Sequence, residues 1–126
     1  MNYNTPIIGI GDVLLRPKYF GLVQHRGIFL GGNAVLTNTP DKGEHLATIE
    51  EFSGREHVTV YRTGANPREV IARSREILKR PRKYDPISRN CEHTASEVTS
   101  GRAKSPTVAF WGIMAIVGLA YVLTRR

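Results

Sequence analysis

Residues 107–124, TVAFWGIMAIVGLAYVLT, restrict the fold of this chain most, because these eighteen residues carry no charge. As a helix rising ~1.5 Å per residue, the stretch would span roughly 27 Å, close to the hydrocarbon thickness of a bilayer. Trp111 and Tyr121 lie towards its opposite ends, where aromatic residues favour the membrane interface. A buried core helix is the alternative, but residues 1–104 offer little material to surround one. The stretch therefore predicts a membrane anchor over residues 105–126.

The charge of the chain is unevenly distributed along it. Residues 1–78 carry nine basic and eight acidic groups, whereas residues 79–126 carry nine basic and three acidic groups. A basic surface can bind nucleic acid or anionic lipid. Because the excess lies beside the predicted anchor and lacks interleaved aromatic residues, it predicts an anionic membrane surface as partner and no nucleic acid. Basic residues flank both ends of the anchor, so charge does not fix its orientation.

The single cysteine, Cys91, sets further limits. It allows no internal disulfide and no cysteine-rich zinc site, so a cytoplasmic location is expected for the soluble domain of residues 1–104. Residues 1–11 lack the basic lead and apolar core of a signal peptide. No cofactor and no metal are predicted, and the sequence leaves the oligomeric state open.

A small antiparallel sheet is predicted within residues 1–104, because short apolar runs are separated by turn residues. The strand patterns are residues 13–15, ended by Arg16-Pro17, a hairpin of residues 22–30 and 34–38 around Gly31-Gly32-Asn33, and residues 57–62. The stretch from residue 40 to His45 predicts a loop, and residues 49–52 form only a weak acidic segment.

Two helices are predicted after these strands. Asn66-Pro67 has the composition of a helix start, and Pro81 ends that helix. The second helix runs from about Asn90 to about Ser100 and carries the cysteine near its start. This order predicts an α+β fold, in which the cysteine-bearing helix packs on the sheet, with a C-terminal transmembrane helix in addition.

Cys91 is placed to act as a nucleophile. At a helix N-terminus, unpaired N–H groups and the helix dipole favour thiolate over thiol. Cys91, Ala95 and Val98 share one helical stripe that faces the sheet, whereas His93 is turned roughly 200° away. His93 is therefore a poor base and is expected to cap local structure or to pack elsewhere. A lone buried cysteine is more often a small apolar residue, and that alternative stays open.

His25 is the candidate base, because it interrupts an apolar strand-like run. A histidine at such a position more commonly has a structural role. A two-residue turn in the hairpin would set Asn38 directly opposite His25, whereas a three-residue loop would set Thr37 opposite Gly27 and diagonal to His25. Either residue can orient the imidazole, the third role in a set of nucleophile, base and orienting group.

The motifs around these residues resemble those of the lecithin retinol acyltransferase family, over nearly the whole chain. The resemblance lies in Gly11-Asp12-Val13-Leu14 with Arg16-Pro17, in His25-Arg26-Gly27-Ile28-Phe29-Leu30-Gly31, in Tyr84-Asp85 followed by Asn90-Cys91-Glu92-His93, and in the GRAKS stretch after it. It implies a permuted NlpC-type, papain-like fold, in which the base precedes the nucleophile, and a catalytic domain over residues 1–104.

The same resemblance implies an activity. Cys91 matches the nucleophile that takes an acyl group as a thioester, and His25 matches the general base. Small members of the family metabolise phospholipids from a C-terminal anchor, so we expect an acyltransferase or phospholipase that uses a membrane phospholipid or another acyl donor. The family's second histidine corresponds to Thr37, next to Asn38, and neither residue can share a positive charge.

Two other functions fit the sequence. A cysteine peptidase or amidase of the NlpC type would use the same fold and the same pair of Cys91 and His25. A membrane-anchored interaction module would keep that pair only as structure, and the threonine at position 37 favours it.

Overall fold

A computed structural model describes residues 7–18 and 23–125 of the chain. The elements are β1 (Val13–Lys18), β2 (Val23–Phe29), β3 (Ala34–Thr39), β4 (Gly43–Thr48), α1 (Ile49–Ser53), β5 (Thr59–Tyr61), α2 (Pro67–Lys79), α3 (Cys91–Ser100) and α4 (Pro106–Thr124). The strands form one antiparallel sheet in the order β4-β3-β2-β1-β5. The α+β class and the small antiparallel sheet are therefore confirmed, while the predicted strand start at residue 22 lies outside the described residues.

Helices cover both faces of the sheet. On one face Ile28 belongs to a buried cluster with Val70 of α2 and Val98 of α3, and on the other Leu14 belongs to a cluster with Phe52 of α1. Successive residues of a strand point to opposite faces, so one strand can supply both clusters. The cysteine-bearing helix α3 packs on the sheet as expected, against β2 and β3.

Two loop lengths were considered for the β2–β3 hairpin, and the structure has the three-residue loop. Gly27 pairs with Thr37 in the ladder, so the register that would set Asn38 opposite His25 is wrong. Gly32 closes the loop with φ of 58°, a left-handed conformation that glycine adopts at little cost.

β1 is longer than predicted and contains Pro17, which was expected to end it. β5 pairs only with Val13, Leu14 and Leu15 of β1. Beyond Leu15 no strand of the described residues pairs with that edge of β1, so the missing N–H of Pro17 interrupts no described ladder on that side.

β4 forms where a loop was expected, and it pairs along its whole length with β3. Its second residue, Glu44, is buried and forms ion pairs with Arg82 and Arg89. Because a charged residue takes an inward position, β4 lacks the alternation of apolar and polar residues by which strands are recognised in a sequence. The acidic residues that follow β4 form α1, which Thr48 caps by accepting the Glu51 N–H at 3.0 Å.

α4 has 19 residues and is long and apolar enough to cross a membrane. None of its apolar stretch is buried against the rest of the described chain, so α4 is not a core helix. Ser105 caps its start by accepting the Val108 N–H at 3.3 Å.

We predict that Gly27→Ala destabilises the protein by roughly 1–3 kcal/mol, as overpacking does in a tight core. A Cβ at this position would lie 2.5 Å from Val35 Cγ1 and 2.8 Å from Phe52 Cε2. Urea unfolding of the full chain in detergent micelles measures the effect. Gly9→Ala is the control, because its added Cβ meets only an ordinary contact at 3.5 Å; equal stabilities of the two variants would contradict the prediction.

Candidate functional site

Asn90 fixes the start of α3. Its Oδ1 accepts the N–H groups of Glu92 at 2.9 Å and His93 at 3.2 Å, and its own N–H donates to His93 Nδ1 at 3.0 Å. This reciprocal capping box is the role of His93, which confirms that it caps local structure. Burial lowers the pKa of His93, and the nearby Arg89 lowers it further, so the ring stays neutral and its Nδ1 can accept.

Cys91 is the first residue of α3, and only 4% of it is exposed. The N–H groups of its neighbours in the first turn are satisfied by Asn90, whose carbonyl also accepts the Thr94 N–H at 3.2 Å. Within residues 7–18 and 23–125 the Cys91 N–H has no acceptor. It is therefore free to donate to an oxyanion formed next to the thiol.

The thiol lines a cleft of about 500 Å³ with mainly apolar walls. β2 contributes Val23, the segment before α3 contributes Ile87, and α4 contributes Val108 and Trp111. The nucleophile candidate and the membrane-length helix thus border the same cleft. The sequence did not show this, because α4 is apolar on all sides and no single face is distinguished.

Glu92 connects α3 to α4. Its carboxylate is 5% exposed, accepts from Ser105 Oγ at 3.2 Å and from the Thr107 N–H at 3.4 Å, and lies 3.6 Å from Arg26 Nη2. Ser105 Oγ in turn accepts from Asn90 Nδ2 at 3.1 Å. These contacts fix the first turn of α4 relative to the first turn of α3.

Thr37 holds the ring of His25. Its Oγ1 lies 3.0 Å from His25 Nε2 and donates to the Arg26 carbonyl, also at 3.0 Å. Because a carbonyl can only accept, the hydroxyl hydrogen points to Arg26, and Nε2–H of His25 donates to Thr37. The other ring nitrogen, Nδ1, then carries the lone pair of a base. Phe52 stacks on the ring, with centroids 5.2 Å apart.

The environment keeps His25 neutral. Burial, and after it the positive charges of Arg16, Lys18 and His45, lower the pKa of His25 from 6.5 to about 3. Near neutral pH the ring is therefore a free base. Once it takes a proton, the imidazolium is a strong acid and returns that proton readily.

Asn38 forms no hydrogen bond with His25 in the described part of the chain, although either Thr37 or Asn38 was expected to orient the ring. Asn38 points to the opposite face of the sheet, where its Nδ2 donates to the Arg89 carbonyl at 3.0 Å and to Thr94 Oγ1 at 3.2 Å. It holds the chain just before Cys91. The structure therefore places Thr37, and not Asn38, beside the candidate base.

Cys91 and His25 border different cavities. His25 and Thr37 line a polar cavity of about 180 Å³, and across the described residues no hydrogen bond joins the thiol to the ring. His25 and α3 also lie on opposite faces of the sheet, because His25 stacks on Phe52 on the face covered by α1, whereas α3 packs on the face of Ile28. Val23, the first residue of β2, lines the cleft of Cys91.

Glu44 is buried beside the site and helps to hold it in place, a role that the sequence did not indicate. It accepts from Arg82 Nε at 2.8 Å, from Arg89 Nη2 at 2.9 Å and from Thr94 Oγ1 at 3.0 Å. Although burial raises the pKa of Glu44, the hydrogen bonds from Arg82 and Arg89 lower it overall. The carboxylate thereby ties the segment before Cys91 to β4.

We predict that acid destabilises the protein through His25. Its pKa is lower in the folded chain than in the unfolded chain, so this stabilisation is complete above about pH 6.5 and is lost as the pH falls. At roughly 1.4 kcal/mol per pH unit, the loss between pH 6.5 and 5 amounts to about 2 kcal/mol.

Urea unfolding of the full chain in micelles at several pH values measures this loss, with His25→Gln as the comparison. His93 contributes equally to both proteins and cancels, and the lowered pKa values of Glu44 and Glu97 place their titration at more acidic pH. The same loss in both proteins over this interval would contradict the assignment.

Within residues 7–18 and 23–125, no three His, Cys, Asp or Glu side chains are grouped so that they could hold a metal ion. No protein-family model matches the sequence, and no curated protein matches it. The similarity of its motifs to those of lecithin retinol acyltransferases therefore stays a prediction.

Proposed function

We propose that this chain is a membrane-anchored, thiol-dependent acyltransferase or phospholipase of the lecithin retinol acyltransferase type. The observation that carries the proposal is the position of the only cysteine, at the first residue of α3 and in an apolar cleft completed by α4. A helix that crosses the bilayer would hold this cleft at the surface where acyl lipids lie. We place the catalytic domain on the cytoplasmic side and its fold among permuted papain-like proteins.

The reaction follows from the groups present. Cys91 Sγ attacks the carbonyl carbon of a lipid ester, its proton passes to His25 Nδ1, and the Cys91 N–H stabilises the oxyanion. The carbon–oxygen bond then breaks, and the leaving alcohol takes the proton from Nδ1. The acyl group remains as a thioester, which water hydrolyses in a phospholipase and an amine or alcohol accepts in a transferase.

Thr37 prepares His25 for this role. By accepting from Nε2–H it leaves Nδ1 as the accepting nitrogen. The low pKa of His25 means that no ion pair with the thiol exists beforehand, so proton transfer accompanies attack on the carbonyl. Because His25 and α3 lie on opposite faces of the sheet, the proposed proton transfer requires β2 or the start of α3 to shift when substrate binds.

The cleft favours a lipid over a peptide. A peptide backbone requires hydrogen-bonding partners along its groove, whereas this cleft is lined mainly by apolar side chains. Ile87 is 72% exposed and Trp111 65% exposed, so they place apolar surface at the cleft where a bilayer would contact it. Lys104 lies just before α4 and adds attraction to anionic headgroups.

The second candidate is an anchored interaction module without turnover. The observation that favours it is the separation of Cys91 and His25 into two cavities with no hydrogen bond between them across the described residues. The two candidate functions predict different results. Substitution of Cys91 or His25 changes the breakdown of lipid if the chain is an enzyme and leaves it unchanged if the chain is an interaction module.

We predict that the full chain in phospholipid vesicles releases fatty acid or transfers an acyl group, and that Cys91→Ala abolishes both reactions. His25→Gln should lower kcat by about 10²–10⁴-fold, the usual contribution of a general base. Mass spectrometry of the lipids measures turnover, and circular dichroism checks that each variant folds. Equal lipid turnover by the wild type and Cys91→Ala would contradict the proposal and favour the interaction module.

We also predict that Thr37→Val lowers kcat about tenfold, the equivalent of one lost hydrogen bond, because the ring is no longer held by its Nε2–H. Thr37→Ser keeps the hydroxyl and should retain most of the activity. Thr39→Val is the matched control, since Thr39 lines the same cavity on β3 but does not bond to His25. The same loss in the Thr37 and Thr39 valine variants would argue against an orienting role for Thr37.

A further inference from the structure

We infer that α4, besides anchoring the chain, forms the wall of the acyl-chain site, and that Gly112 provides the room for long chains. The inference rests on the proposed function, because it concerns the substrate of the same thiol. It assigns substrate selection to a helix that the sequence marks only as a membrane span.

One face of α4 borders the cleft of Cys91. The residues that line it are Thr107, Val108, Trp111 and Gly112, whose spacing of one, four and five positions places them on a single helical face. This face belongs to the first two turns, and Glu92 fixes the first of them to α3 by accepting from Ser105 and Thr107. The start of the wall is therefore held in place relative to the thiol.

The occupant that fits this cleft is the fatty acyl chain of a bilayer lipid. α4 exposes apolar side chains along its length, including Ile116, Leu119 and Val122, so the helix favours hydrocarbon surroundings. The cleft wall continues into that surface, and an acyl chain can enter it from the bilayer without crossing water. A polar occupant would have to lose its hydration against apolar walls, which is costly. The volume of about 500 Å³ lies within the range of small-molecule sites.

Gly112 is the position at which the wall has no side chain. A Cβ built there meets no other atom within 4 Å, so a larger residue would extend into open space without disturbing the packing. Gly118 lies on the same helix and is equally unobstructed, but it does not border the cleft. Leucine at either position adds the same bulk to the helix, and only leucine at 112 would fill the cleft.

Alkylation of Cys91 tests this assignment without requiring turnover. The full chain in nanodiscs of dioleoylphosphatidylcholine is treated with N-ethylmaleimide or N-dodecylmaleimide, and the labelling rates are compared. We expect Gly112→Leu to lower the ratio of dodecyl to ethyl labelling about tenfold, as loss of a pocket for apolar groups does. Gly118→Leu should leave the ratio at its wild-type value. An unchanged ratio in Gly112→Leu, or an equal fall in Gly118→Leu, would overturn the inference.

Turnover of dipalmitoylphosphatidylcholine and dihexanoylphosphatidylcholine separates this inference from the proposed function. If both hold, Gly112→Leu lowers the ratio of long-chain to short-chain turnover, and Gly118→Leu does not. Altered labelling without Cys91-dependent turnover would support the cleft assignment and refute the enzyme. Cys91-dependent turnover with unchanged ratios would support the enzyme and refute the role of Gly112.

Discussion

The side chain of Asn90 is the contact on which the rest of the site depends. Its Oδ1 satisfies two N–H groups of the first turn of α3, which sets Cys91 as the first helical residue and leaves the Cys91 N–H unpaired within the described chain. Its Nδ2 donates to the Pro86 carbonyl and to Ser105 Oγ, each at 3.1 Å. One amide thus fixes the nucleophile candidate, the segment before it and the start of the membrane-length helix.

The surroundings of the candidate base, His25, keep its ring neutral. His25 is buried close to Arg16 and Lys18, which lowers its pKa to about 3, and its orienting partner Thr37 is an uncharged hydroxyl. A second histidine at position 37 could share a proton with the ring, but threonine only accepts an N–H from it. The predicted consequence is a thiol that is deprotonated as it attacks, together with a base that returns its proton easily to the leaving alcohol.

The sequence predicts those features that local chemistry decides. The caps at Asn66 and Asn90 and the stripe of α3 follow from rules that act within a few residues, and both helices form where these rules place them. The strand around Glu44 could not be predicted, because its burial depends on two arginines some forty residues away. Pro17 is tolerated only because the neighbouring strand is short, and Gly112 borders the cleft only through tertiary packing.

The most direct test of the account is the mass of the Cys91 peptide after the full chain meets phospholipid vesicles and is quenched in acid. We expect an added mass equal to one fatty acyl group on Cys91, which neutral hydroxylamine removes and which Cys91→Ala lacks. An unmodified Cys91 after incubation with several lipid classes, in a chain whose thiol still reacts with N-ethylmaleimide, would contradict it.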